Sequence, residues 1–235
     1  MSSDVFRFKQ FTIRQDRCAM KVSTDGVVFG AWPRAEGAKR ILDIGTGTGL
    51  LALMAAQRNS IAHIDAVEID QDAAEQAAEN AMASPWADRV RVHWMDVRRS
   101  HVSDPYDLIL CNPPYYTGYM EATDARTSLA KHSSELSFTE LMQVVDKLLA
   151  QEGRFAVIVP VDREKALLGS AEHFGIRTCR RGSLSYIEGR PFKRVLLELW
   201  RGDAVDVFDP LIVEHQPGSY TEAYRKLLQP FMLEF

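Results

Sequence analysis

The stretch Asp43-Ile-Gly-Thr-Gly-Thr-Gly49 constrains this chain more than any other part of it. It follows Arg40-Ile-Leu-Asp-Ile, which reads as a buried strand, and it opens onto Gly-Leu-Leu-Ala-Leu-Met-Ala-Ala-Gln, which reads as an apolar helix over 49–57. A strand feeding a helix through three alternate glycines specifies a particular turn. Gly45 lets the chain reverse, Gly47 lets a ligand approach the backbone, and Gly49 lets the helix pack closely. The Gly-x-Gly-x-Gly spacing is not the dinucleotide fingerprint, and the Lys-Ser/Thr of a phosphate-binding loop is missing. Dinucleotide enzymes, nucleotide binders and methyltransferases all use glycine-rich turns, so the loop alone leaves the class open.

Around this turn, strand and helix patterns alternate. Strands are predicted at 61–68, 90–94, 106–111 and 153–159, and helices at 72–82, 138–150 and 162–174, with Asp70 or Asp72 capping the first of these helices. That rhythm predicts an α/β fold with a mostly parallel, doubly wound sheet. At the end the rhythm changes. Strand-like runs at 177–186 and 195–200 are separated only by a loop, which predicts an antiparallel hairpin at one edge of a seven-stranded sheet. The expected organisation is one domain over 1–235, comprising an N-terminal arm (1–38), an α/β core (39–175), and the hairpin with a tail (176–235).

Composition excludes several classes. With 46% apolar and 26% charged residues, the chain can bury a large core and is not a disordered polymer. It has no run of eighteen apolar residues, so no membrane helix is expected. Asp4, Arg7 and Lys9 interrupt the start, so no signal peptide is expected. Cys18, Cys111 and Cys179 are odd in number and widely spaced, and the histidines show no ligand spacing. The expectation is no disulfide framework, no metal and a cytoplasmic location. Net charge is −4, yet it is segregated. Segment 177–201 has seven basic residues against two acidic, segment 1–22 has five against two, and segment 203–235 has six acidic against two basic. A local basic face on an acidic protein is compatible with that distribution.

In an open parallel sheet, ligands bind beyond the carboxyl ends of the strands, and three more of those ends carry unusual residues. Glu68 stands 19 residues after Gly49, where a carboxylate can accept from both hydroxyls of a ribose. Asp96 is placed to accept from the amino group of an adenine ring, or to cap a turn. Asn112-Pro-Pro-Tyr115 follows the strand ending at Cys111. Its two prolines remove backbone donors and stiffen the chain. The Asn112 side-chain oxygen and the Pro113 carbonyl can then accept from one planar NH2 group, with Tyr115 stacked on the ring that carries it. The alternative is a rigid turn in which Asn112 caps the backbone.

The glycine loop followed by Asn112-Pro-Pro-Tyr115 resembles the Rossmann-like class I S-adenosylmethionine (SAM) methyltransferases that modify conjugated amino groups. Further stretches are similar to the bacterial tRNA1(Val) adenine-N6 methyltransferase family: Asp16-Arg-Cys-Ala-Met-Lys-Val-Ser-Thr-Asp-Gly-Val-Val-Phe-Gly-Ala-Trp32, Ser84-Pro-Trp-Ala-Asp-Arg89, Asn112-Pro-Pro-Tyr-Tyr116, Arg194-Val-Leu-Leu and Tyr220-Thr-Glu-Ala-Tyr224. The chain departs from the usual family pattern at Ser23, Thr46, Thr48 and Asp70. The resemblance implies methyl transfer from SAM to N6 of the adenine at position 37 of a valine tRNA, with a monomeric enzyme. It implies Asn112, Pro113 and Tyr115 as catalytic residues. It implies SAM contacts from Lys21, Thr24, Asp25, Asp43, Gly45, Thr46, Gly47, Glu68, Ile69, Asp96 and Asn112. Candidate RNA contacts are Arg14, Arg17, Tyr116, Arg126, Arg190, Lys193 and Arg194. A glutamine-N5 protein methyltransferase and a guanine-N2 rRNA methyltransferase are the alternatives, since both also act on a planar NH2.

Overall fold

A computed structural model describes residues 4–100, 104–113, 136–205 and 207–234. In chain order these form β1 (Val5–Arg7), β2 (Thr12–Arg14), α1 (Thr24–Ala31), β3 (Arg40–Ile44), α2 (Leu50–Arg58), β4 (His63–Glu68), α3 (Gln71–Met82), β5 (Val90–Trp94) and β6 (Tyr106–Cys111). They continue with α4 (Phe138–Leu148), β7 (Leu149–Pro160), α5 (Glu164–Glu172), β8 (Arg177–Ile187), β9 (Arg194–Trp200), β10 (Phe208–Gln216), β11 (Ser219–Tyr220) and α6 (Glu222–Leu228). Strands β3 to β11 make one sheet in the order β11-β10-β8-β9-β7-β6-β3-β4-β5. The pairs among β5, β4, β3, β6 and β7 are parallel, and β9 runs antiparallel to both β7 and β8. The chain leaves β3 toward β4 and β5 and then returns to β6 on the other side, so the crevice lies between the carboxyl ends of β3 and β6.

The central strands are apolar on both faces because helices cover both. Ile41, Leu108, Leu110, Ala156 and Ile158 point toward α1, α2 and α6, whereas Leu42, Ile109, Phe155 and Val157 point toward α4 and α5. The period of two within each strand and the continuous apolar composition therefore have the same cause. Helix α4 closes its side with Leu141, Met142, Val145 and Leu148, and Ser137 with Glu140 forms a capping box at its start.

The mostly parallel sheet with an antiparallel pair near the C-terminus is as expected, with differences in detail. The tail adds β10 and β11, giving nine strands in this sheet among the described residues instead of seven, and β10 pairs parallel to β8. The β8–β9 hairpin is consequently not at the edge. Helix α4 stops at Leu148, before the expected 150, because Leu149 pairs with Tyr106 and begins β7. A Cβ at Gly153 would lie 2.8 Å from the Tyr106 carbonyl oxygen, so a glycine is needed where β7 passes β6. Helix α5 begins at Glu164 because Val161–Arg163 form a 3₁₀ turn. Among the described residues, no helix is long and apolar enough to cross a membrane.

The N-terminal arm is ordered by α3. Asn80 is buried; its Oδ1 accepts from the Arg14 amide at 2.9 Å, and its Nδ2 donates to the Arg14 and Thr48 carbonyls, each at 2.9 Å. Gln76 does the same one turn earlier, accepting from the Arg17 amide at 3.1 Å and donating to Asp16 at 2.7 Å. Two buried amides on one helix face thus hold the arm across the top of the sheet. Replacing Asn80 by Ala leaves backbone groups of Arg14 and Thr48 without partners. We expect a loss of about 1–3 kcal/mol in urea unfolding, with faster proteolysis between residues 4 and 22 than elsewhere.

Candidate active site

The glycine loop is fixed from beneath by a buried carboxylate. Asp43, at the end of β3, is fully buried; its Oδ2 accepts from the Thr46 hydroxyl at 2.6 Å and from the Ala52 amide at 3.2 Å. From the side, the Gly45 and Thr46 amides donate to the Val67 carbonyl. Gly45 and Gly47 have φ of +69° and +55°, a region that disfavours any residue with a Cβ, and open space lies where those Cβ atoms would be. At Gly49 the φ of +85° is what demands glycine. An added Cβ would meet Ala77 of α3 at an ordinary 3.6 Å, so close packing is not the reason.

The loop opens on a cavity of about 420 Å³ at the carboxyl ends of β3, β4 and β6. Glu68 is part of its lining. Its Oε2 accepts from the Gly47 amide at 2.9 Å, and its Oε1 accepts from the amides of Ile69 and Asp70 at 2.9 and 3.1 Å. Three backbone donors orient this carboxylate and leave acceptor capacity on Oε2. Ile44, Val67, Ile69, Met95 and Val97 make apolar walls, and Asn112 and Pro113 close the side at β6. A ligand with a flat apolar ring, adjacent hydroxyls and a part that runs against bare glycine backbone suits this lining.

The expected site residues divide by position. Gly45, Gly47, Glu68, Ile69, Asp96, Asn112 and Pro113 all line the cavity. Asp43 and Thr46 do not, and instead hold the loop that does. Asp96 caps the turn after β5 and is paired with Arg98 at 2.8 Å, which holds its carboxyl below the usual range; Arg98 reaches on to Glu140 at 2.9 Å. Lys21, Thr24 and Asp25 lie outside the lining. Lys21 pairs with Asp4 at 2.9 Å, and Asp25 accepts from Tyr186 at 2.5 Å and from Arg194 at 2.8 Å.

Among the residues expected at RNA, Arg17 lines the cavity and is paired with Glu79 and Glu75, and Arg194 is held by Asp25. Arg14 is exposed on the hairpin of β1 and β2. Arg190 and Lys193 are exposed in the loop between β8 and β9. Tyr115, Tyr116 and Arg126 lie outside the described residues. Sequence reasoning missed Cys18, Ala19 and Met20, which line the same cavity as Asn112, and also Met95, Val97 and Arg98. The first group sits inside the motif from Asp16 to Trp32, so a signal was present; the second follows Asp96 directly. Burial pushes the Cys18 thiol up to about 11 and the Cys111 thiol higher still, so both stay protonated at neutral pH.

Together, the switch-point crevice, the left-handed glycine loop, the carboxylate ending β4 and the Asn-Pro ending β6 define a class I SAM-dependent methyltransferase. The comparisons agree. Residues 32–159 match the family model described as "Methyltransferase small domain". Proteins called tRNA1(Val) (adenine(37)-N6)-methyltransferase are similar over their whole length: that of Dyadobacter fermentans is 41% identical over 98% of each chain, and that of Tolumonas auensis is 43% identical over 99% of this chain and 98% of the other. The chain belongs to the tRNA1(Val) (adenine(37)-N6)-methyltransferase family. Solved structures share the fold. A predicted O-methyltransferase of Agrobacterium tumefaciens superposes with a TM-score of 0.66 at 18% identity, covering 88% of this chain and 96% of that one. TrmN of Thermus thermophilus gives 0.51 at 23%, covering 71% and 45%.

Burial raises the Asp43 carboxyl to about 7 from an ordinary 3.8, against the pull of Thr46 and the Ala52 amide. Between about pH 4 and pH 7 the folded protein therefore keeps a proton that the unfolded chain has released. This contribution to stability falls as pH rises through that window and is level above it. Asp43→Asn removes it, so the stability of wild type relative to the variant should decline from acid toward neutral pH in urea titrations. A difference independent of pH would show that Asp43 is ionised throughout.

Proposed function

We propose that this protein transfers a methyl group from SAM to the exocyclic N6 of adenine 37 in tRNA1(Val), as a single-domain monomer in the cytoplasm. One observation carries the reading: Asn112 and Pro113, at the end of β6, line the same cavity as Glu68 and the glycine loop. A group able to accept from an amino NH2 thus borders the space suited to a nucleoside.

When bound, SAM supplies a methyl group already activated on a sulfonium. The residues of this chain then have two tasks, to hold the donor and to make the nitrogen nucleophilic. Glu68, oriented by three amides, would accept from the ribose hydroxyls, and the bare backbone at Gly45 and Gly47 would receive the part of the ligand beyond them. The lone pair of an adenine amino group is delocalised into the ring. The Asn112 Oδ1 and Pro113 carbonyl, accepting from its two hydrogens, would favour the pyramidal nitrogen and support the positive charge that grows there. Water can take the proton, which becomes acidic once the methyl is attached, so no side-chain base is required. Asp43 acts through the loop and is a positioning residue.

Single-turnover methylation of an anticodon stem-loop tests this reading. Asn112→Ala should slow methyl transfer by about 10²–10³ while leaving SAM affinity nearly unchanged, and Asn112→Asp should be milder because a carboxylate still accepts. Glu68→Ala should do the reverse, weakening SAM binding by about 1.5–3 kcal/mol on calorimetry. N6-methyladenosine is the expected product. A methylated glutamine or N2-methylguanosine instead would replace the proposed substrate, and an Asn112→Ala enzyme within threefold of wild type would defeat the mechanism.

A further inference from the structure

Most of the basic segment 177–201 is engaged within the fold. Arg180 pairs with Asp209, Arg181 with Glu164, Arg194 with Asp25 and Arg201 with Asp146. Arg190 and Lys193, in contrast, are exposed and have no ion pair among the described residues. Between them Phe192 is 40% exposed, and its ring meets that of Phe208, 51% exposed, edge-on at 6.4 Å. The Arg181 guanidinium lies 5.4 Å from the centre of the Phe208 ring. Val161 is 40% exposed, and its amide donates to the Lys193 carbonyl. Two exposed aromatic rings set against each other, one of them in a loop that also carries Arg190 and Lys193 without an ion pair among the described residues, are not a normal solvated surface.

Sheet register locates this patch relative to the site. Phe208 pairs with Arg181, Arg181 with Leu197, Leu197 with Val157 and Val157 with Cys111, the residue before Asn112. The aromatic pair is thus level with the catalytic loop, four strand spacings or roughly 19 Å along the sheet. The loop that carries Phe192 and Lys193 stands at the carboxyl end of β7, the strand beside β6. Of the acids in these segments, Glu164 is held by Arg181, Asp209 by Arg180 and Glu188 lies 2.8 Å from His215, while Asp162 is exposed and 4.0 Å from Arg163.

We propose that Phe192, supported by Phe208, is a stacking platform for an unpaired RNA base other than the methylated adenine, with Lys193 and Arg190 meeting the adjoining phosphates. The platform would select substrates whose target lies a few nucleotides from a second unstacked base, as in a hairpin loop. The inference rests on the RNA substrate proposed above. Ring faces bind any base and ammonium groups bind any phosphate, so the patch reads the presence of a single strand and its distance from the target, not its sequence.

The experiment uses the whole protein and anticodon stem-loops carrying 2-aminopurine at one unpaired position at a time, leaving the target adenine intact. With wild type, fluorescence should be quenched at one position away from the target. Phe192→Ala and Phe192→Leu should abolish that quenching and weaken RNA binding roughly tenfold, the scale of one lost base–aromatic stack, whereas Phe192→Trp should retain both. The salt dependence of binding should stay the same in the Phe192 variants and become shallower in Lys193→Glu. SAM affinity and the rate at saturating RNA should not change in the Phe192 variants, which separates a docking defect from misfolding. RNA affinity of Phe192→Ala within twofold of wild type would overturn the platform. So would a dimer in sedimentation that Phe192→Ala dissociates, since the patch would then belong to a second copy. Quenching through Phe192 by a wild-type protein that never methylates the loop would support the platform while refuting the proposed reaction.

Discussion

The site depends on a carboxylate taken out of water. Asp43 lies beneath the glycine loop, and one of its oxygens gathers the Thr46 hydroxyl and the Ala52 amide, joining the loop to the first turn of α2. Its other oxygen is buried without a hydrogen-bond partner among the described residues. Desolvation on this scale is costly, and it is tolerated where it fixes a conformation that function needs. Here that conformation is a left-handed loop whose backbone faces the cavity. Val67 holds the same loop from β4 through its carbonyl, and Glu68 reaches back to the Gly47 amide. The end of each strand thus supports the geometry of the next.

The division of labour within the cavity follows from this frame. The groups proposed to hold the donor stand on the first two parallel strands of the chain, β3 and β4. The acceptors proposed for the target nitrogen stand on β6, across the switch point. The N-terminal arm closes the remaining side because buried amides of Gln76 and Asn80 on α3 fasten it there. Arg17 is paired with the acids of the same helix and, expected at RNA, forms part of the cavity wall.

Local sequence was enough wherever one residue type had one physical use. The alternation of strand and helix, the Gly-x-Gly-x-Gly turn, the Glu68 carboxylate and the Asn112-Pro113 pair were all legible, because each follows from backbone geometry or donor–acceptor chemistry within a few residues. The segment after residue 203 was not legible as strands. Residues 208–216 include a proline and two acids, and they become β10 only because β8 offers them a parallel edge. Ion pairing was not legible either. Segment 177–201 is strongly basic in sequence, yet its arginines at 180, 181, 194 and 201 find partners far along the chain.

The sequence by itself determined the class of fold, the glycine turn and the residues proposed to meet donor and acceptor, since these are properties of contiguous residues. Only the tertiary structure decided which residues share the cavity wall. It set Asp43 beneath the loop instead of in the cavity, brought residues 17–20 into the same cavity lining as Asn112, and separated the engaged arginines from Arg190 and Lys193. It also placed Phe192 against Phe208. The physical reason is that burial and ion pairing are settled between residues distant in sequence, by the register and packing of the sheet, and no local pattern records which partners that packing will supply.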